Sequence, residues 1–158
     1  MNFRKGKLPV LKTLQIIAKD LNWENIVWGL GASMLLNQYG LEDAPRDIDL
    51  LIDIKDHIRA NQLFLKWGEQ KEVEESPIYA TEDFNRYVVK GVRIDVMAGF
   101  QIRHQNGVYR YPFDNRSITR VKSLEGIKIP LTALEDWYIL YQLLPNRNEK
   151  VARIERHL

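Results

Sequence analysis

Apolar residues along the chain recur with two periods, one typical of helices and one typical of strands. The residues Val10, Leu14, Ile17 and Leu21 lie one helical turn apart and predict a helix over residues 9–22. Similar stripes, together with glycine and proline stop signals, predict four more helices. Their expected positions are 32–40, 55–67, 132–144 and 146–156.

Some details of these helices follow from single residues. Gly40 is expected to end the second helix as a left-handed cap. Ile58 is expected to face the core from the third. A capping box that begins at Thr132 is expected to start the fourth, and Pro145 to end it. Asn146 repeats the capping pattern for the last helix.

Alternating apolar and polar residues predict the strands. Short strands are expected at 25–28, at 47–52 and at 84–89 and 92–97, with Lys90 and Gly91 turning the last pair into a hairpin. Residues 69–75 are expected to form a solvated loop, and residues 101–128 a β-rich, irregular segment. This order predicts an α/β or α+β fold with one mixed central sheet flanked by helices. We expect a single domain over 1–158, with its core at 8–125 and a short C-terminal helical extension at 132–157.

The composition narrows the protein class. The chain has 158 residues, 45% of them apolar and 28% charged, which is ordinary for a globular domain. A net charge of +2 is too small to indicate general nucleic-acid binding. The absence of cysteine excludes disulfides, thiolate zinc sites and cysteine nucleophiles. Charged residues interrupt the apolar N-terminal stretch, so we expect no signal peptide, no membrane span and a cytoplasmic location.

Carboxylates at alternate strand positions are the first chemical signal. Asp47 and Asp49 share one face of their predicted strand. Asp95 lies with Arg93 on the polar face of a later strand. Neighbouring carboxylates repel each other unless a cation lies between them, and oxygen ligands suit Mg²⁺. Taken alone, the Asp47–Asp49 pair is about as consistent with a solvated strand face as with a metal site. A glycosyltransferase D-x-D site is a further alternative, although this length leaves little room for one.

A glycine turn lies shortly before the carboxylates. Gly29 and Gly31 precede a helix, and Ser33 adds a hydroxyl near its start. Backbone N–H groups at the start of a helix can bind phosphate. A phosphate site next to a carboxylate metal site is the combination that nucleotide chemistry requires.

This set of motifs resembles the nucleotidyltransferases of the DNA polymerase β-type fold, in particular small stand-alone, abortive-infection-toxin-like and lincosamide-modifying members. The resemblance covers about residues 26–97. Where the family usually has glycine or serine after its glycine, this chain has Ala32, which keeps the backbone N–H but lacks a hydroxyl. The matching stretches are Leu30-Gly31-Ala32-Ser33, Arg46-Asp47-Ile48-Asp49-Leu50 and Arg93-Ile94-Asp95-Val96.

The resemblance implies a Mg²⁺-dependent enzyme, with Mn²⁺ as a substitute, that moves a nucleoside monophosphate from a triphosphate to a hydroxyl. Asp47, Asp49 and Asp95 would be the metal ligands and catalytic residues, and Asp95 a proton acceptor as well. The implied nucleotide-binding residues are Gly29, Gly31, Ala32, Ser33 and Arg46. For Arg46 and Arg93, a structural ion pair is at least as good an interpretation as phosphate contact.

Several questions stay open at this stage. The acceptor could be a small molecule such as an antibiotic, a protein hydroxyl or an RNA 3′ end. A non-catalytic nucleotide- or partner-binding relative, such as a toxin–antitoxin component, is the alternative to an enzyme. The basic and aromatic run over 103–122 could bind the acceptor substrate or RNA, but surface charge plus core aromatics is the preferred interpretation. The histidines receive no role. The last basic residues are interpreted as a solvated helix face: Arg147, Lys150, Arg153 and Arg156.

Overall fold

The computed structural model describes residues 1–158, which form five α-helices and nine β-strands. The helices are α1 (Leu8–Trp23), α2 (Ala32–Gln38), α3 (His57–Trp67), α4 (Leu134–Leu143) and α5 (Asn148–His157). The strands are β1 (Trp28–Gly31), β2 (Ile48–Ile52), β3 (Glu69–Lys71), β4 (Asp83–Val89), β5 (Val92–Ala98), β6 (Gln101–His104), β7 (Gly107–Arg110), β8 (Ile118–Leu124) and β9 (Ile127–Thr132).

Seven of the strands form one mixed sheet in the order β3-β4-β5-β2-β1-β9-β8. The pairs β2–β5 and β1–β9 are parallel and the other neighbours are antiparallel. Strands β6 and β7 form a separate hairpin. The expected mixed sheet flanked by helices, with two helices at the C-terminus, is therefore confirmed.

Because side chains alternate along a strand, one face of β4 contacts α3 and the other lines a cavity. Asp83 accepts hydrogen bonds from Asn61 of α3 and lies 2.8 Å from His57 Nδ1, so this face carries α3. Phe84 and Arg86, at the alternate positions, line a cavity instead. The sheet thus separates the packing of α3 from the candidate site.

The N-terminal end of α4 shows why the capping box predicted at Thr132 is wrong. Thr132 does not cap the helix, which begins at Leu134 after Ala133. Its hydroxyl donates to Leu30 O at 2.8 Å and accepts from Trp137 Nε1 at 2.9 Å. These bonds join β9, β1 and α4, so the side chain expected to cap the helix fastens it to the sheet.

Other predictions need smaller corrections. Ile58 is 62% exposed, because α3 turns that position away from the sheet. The expected loop at 69–75 contains β3, whose exposed polar residues pair with β4 through their backbones. The first strand begins at Trp28, three residues later than expected. The last helix begins at Asn148 without the expected side-chain cap. Gly40, with a φ of 74°, follows the end of α2 as predicted.

No helix of the structure has both the length and the apolar character needed to cross a membrane.

Candidate functional site

The three predicted carboxylates line one cavity of about 250 Å³. Asp49 on β2 and Asp95 on β5 are direct partners in the register of these two parallel strands. Asp47 does not lie in the strand, which begins at Ile48, but immediately before it in an exposed position. Alternation along β2 predicts which face of the sheet Asp49 lies on. The parallel pairing of β2 with β5 then brings Asp95 next to it.

The electrostatics of this group are dominated by burial and by repulsion between carboxylates. Burial, followed by the negative charges of Asp95 and Asp47, raises the pKa of Asp49 to about 7. Carboxylate oxygens are hard ligands that suit Mg²⁺ or Mn²⁺, and a divalent cation would relieve this repulsion. The donor chemistry of Asp47 and Asp49 therefore fits such an ion.

Asp95 has a different environment from the other two. Arg86 Nε donates to Asp95 Oδ1 at 2.7 Å, and Arg93 Nη2 donates to Oδ2 at 2.9 Å. Asp95 is 6% exposed, whereas the side chains of Arg86 and Arg93 are 26% and 44% exposed, so the ion pairs join a buried carboxylate to partly exposed guanidinium groups. In this arrangement no three acidic or histidine side chains are placed to hold one metal ion together. The structural ion pair weighed for Arg93 is therefore present, and Arg86, which sequence reasoning missed, adds to it.

The glycine turn is shaped by packing. A Cβ on Gly31 would lie 2.5 Å from Trp137 Cζ2 and 2.7 Å from Leu51 Cδ2. A Cβ on Gly29 would lie 2.9 Å from Thr132 Cγ2. Both glycines lie in β1, and neither lines the cavity, whereas the next residues Ala32 and Ser33 do.

Ala32 has an unusual backbone conformation. Its φ of 51° lies in the left-handed region, which costs an L-residue roughly 1–2 kcal/mol. The turn from β1 into α2 therefore requires the conformation that glycine adopts most readily. Strain at a residue that lines a cavity is typical of a functional turn.

Two cationic side chains of the C-terminal extension enter the site. Lys150 Nζ donates to Ser33 Oγ at 3.0 Å, and Arg147 also lines the cavity. The expectation that these two residues form part of a solvated helix face is wrong. They follow Asp47 and Asp49 by about a hundred positions and Asp95 by more than fifty, so only the packing of α5 near α2 reveals them. Arg153 instead contacts Glu42, at 3.6 Å.

Aromatic rings form the rest of the cavity wall. Neighbouring rings in this wall have centroids 5.4–6.5 Å apart. Sequence periodicity does not predict this grouping, because the rings come from two loops, β4 and α4. In order of contact they are Phe84, Tyr79, Phe100, Trp137 and Tyr141.

Arg46 lies outside this cavity. It is exposed and borders a shallow neighbouring depression of about 310 Å³, which also touches Ser33, Asp47 and Asp49. The basic run over 103–122 is engaged within the protein. Arg110 pairs with Glu82, and buried Lys122 donates to Gln38 O at 3.2 Å.

Comparisons with known proteins support the fold alone. No family model matches the chain, and no curated protein matches it in sequence. Among solved structures, a provisionally assigned nucleotidyltransferase from Thermotoga maritima is 21% identical, with a TM-score of 0.74 over 98% of this chain and 91% of that one.

Two antibiotic-modifying enzymes have the same architecture. The lincosamide adenylyltransferase LnuA, solved with lincomycin, is 16% identical, with a TM-score of 0.60 over 96% of this chain and 98% of that one. The enzyme ANT(2'')-Ia, solved with adenylyl-2''-tobramycin, is 11% identical, with a TM-score of 0.61 over 92% and 87%. The chain thus has the nucleotidyltransferase fold.

Proposed function

We propose that the cavity binds a nucleoside triphosphate with a divalent cation and transfers the nucleoside monophosphate to a hydroxyl acceptor. The observation that carries this proposal is the arrangement of charge. Asp47, Asp49 and Asp95 lie in the same small cavity as Lys150 and Arg147. Phosphoryl transfer is catalysed mainly by positioning and by charge stabilisation, so a site with both signs of charge suits it.

The carboxylates form the cation-binding part of this site. Asp47 and Asp49 would hold the ion, and Asp95 would join them once it is free of its arginines. When bound, the cation would stabilise charge on the phosphate and lower the pKa of the acceptor hydroxyl. The raised pKa of Asp49 supports this role, because it reflects burial of the carboxyl together with the negative charges of Asp95 and Asp47.

The cationic residues form the phosphate-binding part. Lys150 reaches the hydroxyl of Ser33, in the turn where Ala32 is strained. A phosphate oxygen at this position would accept hydrogen bonds from both side chains. Charge-assisted bonds of this kind are roughly twice as strong as neutral ones, which makes Lys150 the principal phosphate ligand in this proposal.

The aromatic wall offers a place for the base or the acceptor. Aromatic rings such as those of Tyr79 and Phe84 can stack on a planar group, and stacking of this kind accepts any nucleotide base. A small hydroxyl compound is one class of acceptor that such a wall could hold. Adenylyl transfer to a small antibiotic, as the names of the two antibiotic-modifying enzymes describe, is one reaction of this kind.

A non-catalytic nucleotide-binding protein is the second candidate, and one observation favours it. Both oxygens of Asp95 accept hydrogen bonds from arginine, so one of the three carboxylates is engaged within the protein. A binding protein could keep these ion pairs permanently. An enzyme that uses Asp95 as a metal ligand must break them.

Pyrophosphate release separates the two candidates. The wild type would be incubated with the four ribonucleoside triphosphates, Mg²⁺ and a panel of hydroxyl compounds, beside calorimetric measurement of triphosphate binding. We expect acceptor-dependent release by the wild type and a loss of about 10²–10⁴-fold in Asp95→Asn with binding largely kept. Asp49→Asn should lose both. Asp43→Asn, which removes an exposed carboxylate outside the cavity, is the matched control. Binding without release from any acceptor would instead support the non-catalytic candidate.

A further inference from the structure

Strand register places an arginine on one side of Asp95 and a carboxylate on the other. Arg86 of β4 is the direct antiparallel partner of Asp95, and Asp49 of β2 is its direct parallel partner. Arg93 lies two residues before Asp95 on the same strand and therefore on the same face. The side chain of Asp95 can thus interact with either the arginines or the neighbouring carboxylate site.

In the structure, Arg86 and Arg93 hold the side chain of Asp95. Oδ1 accepts from Arg86 Nε at 2.7 Å, while Oδ2 accepts from Arg86 Nη2 at 3.3 Å and from Arg93 Nη2 at 2.9 Å. Both oxygens of the carboxylate are engaged, and two positive charges lie next to one negative charge. A divalent cation that approached Asp95 here would compete with these donors and would be repelled by them.

The surroundings show where a released arginine can go. Arg86 lines the site cavity and also borders an adjoining groove of about 680 Å³. Its side chain is 26% exposed, and that of Arg93 is 44% exposed, so both can turn toward solvent. A triphosphate in the cavity would offer phosphate oxygens, which guanidinium groups bind in the same bidentate manner as a carboxylate.

We propose that Arg86 and Arg93, the arginine pair, are positioning residues that hold Asp95 away from the metal site until nucleotide phosphate attracts them. This inference rests on the proposed function. Metal and triphosphate then reinforce each other, because each favours the arrangement in which Asp95 has left the arginine pair. Such coupling is reciprocal and typically changes affinity by about 5–150-fold.

The test measures binding of Mn²⁺ alone, by the electron paramagnetic resonance signal of the free ion, without nucleotide or acceptor. Arg86→Met should bind Mn²⁺ about tenfold more tightly than the wild type, because Asp95 is then held by a single arginine. Arg93→Met should show a smaller gain, because it removes one of the three hydrogen bonds. Since the Arg93 side chain is the more exposed, this variant also decides the question if Arg86→Met fails to fold.

A charge control and a double variant make the result specific. Arg147→Met removes the same charge from the same cavity, but Arg147 donates to Pro145 O and Asn146 O in its own turn and not to Asp95. It should gain much less than Arg86→Met. The double variant Arg86→Met/Asp95→Asn should bind Mn²⁺ no better than Asp95→Asn alone.

The inference would be overturned by equal Mn²⁺ affinity in wild type, Arg86→Met and Arg93→Met, by an equal gain in Arg147→Met, or by a gain that persists without the Asp95 carboxylate. Absence of Mn²⁺ binding in all proteins would overturn it as well. Because none of these measurements uses transfer activity, failure of the arginine pair is distinguishable from failure of the proposed reaction, which pyrophosphate release tests.

Discussion

Asp49 and Asp95 lie side by side on the parallel strands β2 and β5, as direct partners in their register. Forty-six positions separate them in the chain, and α3, β3 and β4 lie between. Neighbouring parallel strands place their side chains on the same face at about 4.8 Å spacing, so the two carboxylates interact strongly. Burial, followed by the negative charges of Asp95 and Asp47, raises the pKa of Asp49.

The first prediction follows from that pKa. A folded-state pKa of about 7, against an ordinary value of 3.8, means that the folded protein binds the Asp49 proton more tightly than the unfolded chain. Metal-free stability should therefore fall as the pH rises from about 4 to about 7 and stay low above it. Asp49→Asn cannot ionise and should be roughly 1–2 kcal/mol more stable than the wild type at pH 8. Thermal melts in chelator measure this; equal melting temperatures at pH 8 would contradict it.

The second prediction concerns metal. Mg²⁺ or Mn²⁺ at millimolar concentration should raise the melting temperature of the wild type, because an ion that binds only the folded state stabilises it by mass action. The increase should grow with metal concentration and should largely vanish in Asp49→Asn. Asp43→Asn should respond like the wild type. Identical melts of the wild type with and without metal would count heavily against a site.

The third prediction tests Lys150, which was interpreted from sequence as solvated. Lys150→Met keeps the aliphatic chain but removes the charge that reaches Ser33. Triphosphate affinity should fall about tenfold or more, since a charged hydrogen bond contributes roughly 1.5–3 kcal/mol. Calorimetry with Lys128→Met, an exposed lysine on β9, provides the matched control. Unchanged affinity in Lys150→Met would place the phosphates elsewhere.

The fourth prediction concerns Gly31. Its substitution by alanine or valine should act through Trp137, because the new Cβ would lie 2.5 Å from that ring. We expect a loss of about 1–3 kcal/mol in stability and a change in tryptophan fluorescence, with weaker triphosphate binding as a consequence of the displaced wall. Gly107→Ala should change neither, since no atom lies within 4 Å of the added Cβ. An unperturbed melt and spectrum for Gly31→Ala would refute the packing explanation.

The fifth prediction concerns Ala32. Glycine at this position relieves the strain of the left-handed conformation, but it also gives the unfolded chain more conformational freedom. The net effect should be that Ala32→Gly raises the free energy of unfolding by roughly 0.5–1 kcal/mol. Ala152→Gly, in the middle of α5, should instead lose about 1 kcal/mol, because that helix position has no such strain. Urea unfolding of both variants measures whether each one gains or loses stability. A loss in Ala32→Gly would show that the strain is compensated locally.

Elements with local signals could be predicted from the amino-acid sequence. Helical spacing located α1, and the alternation around Asp95 correctly predicted a strand with Ile94 buried. The glycine at position 40 marked the end of α2 because a left-handed cap depends on one residue. The candidate carboxylates followed from alternation and from the family resemblance, since both are patterns along the chain.

The contacts of those carboxylates depend on how the strands and helices pack in the folded chain. Arg86 reaches Asp95 because β4 and β5 pair in one register, and Lys150 reaches Ser33 because α5 packs near the turn. Thr132 joins strands instead of capping a helix for the same kind of reason. Local capping and periodicity are one-dimensional signals, whereas strand register and helix packing depend on the burial of the whole core. The partners of the site residues therefore appear only once the chain is folded.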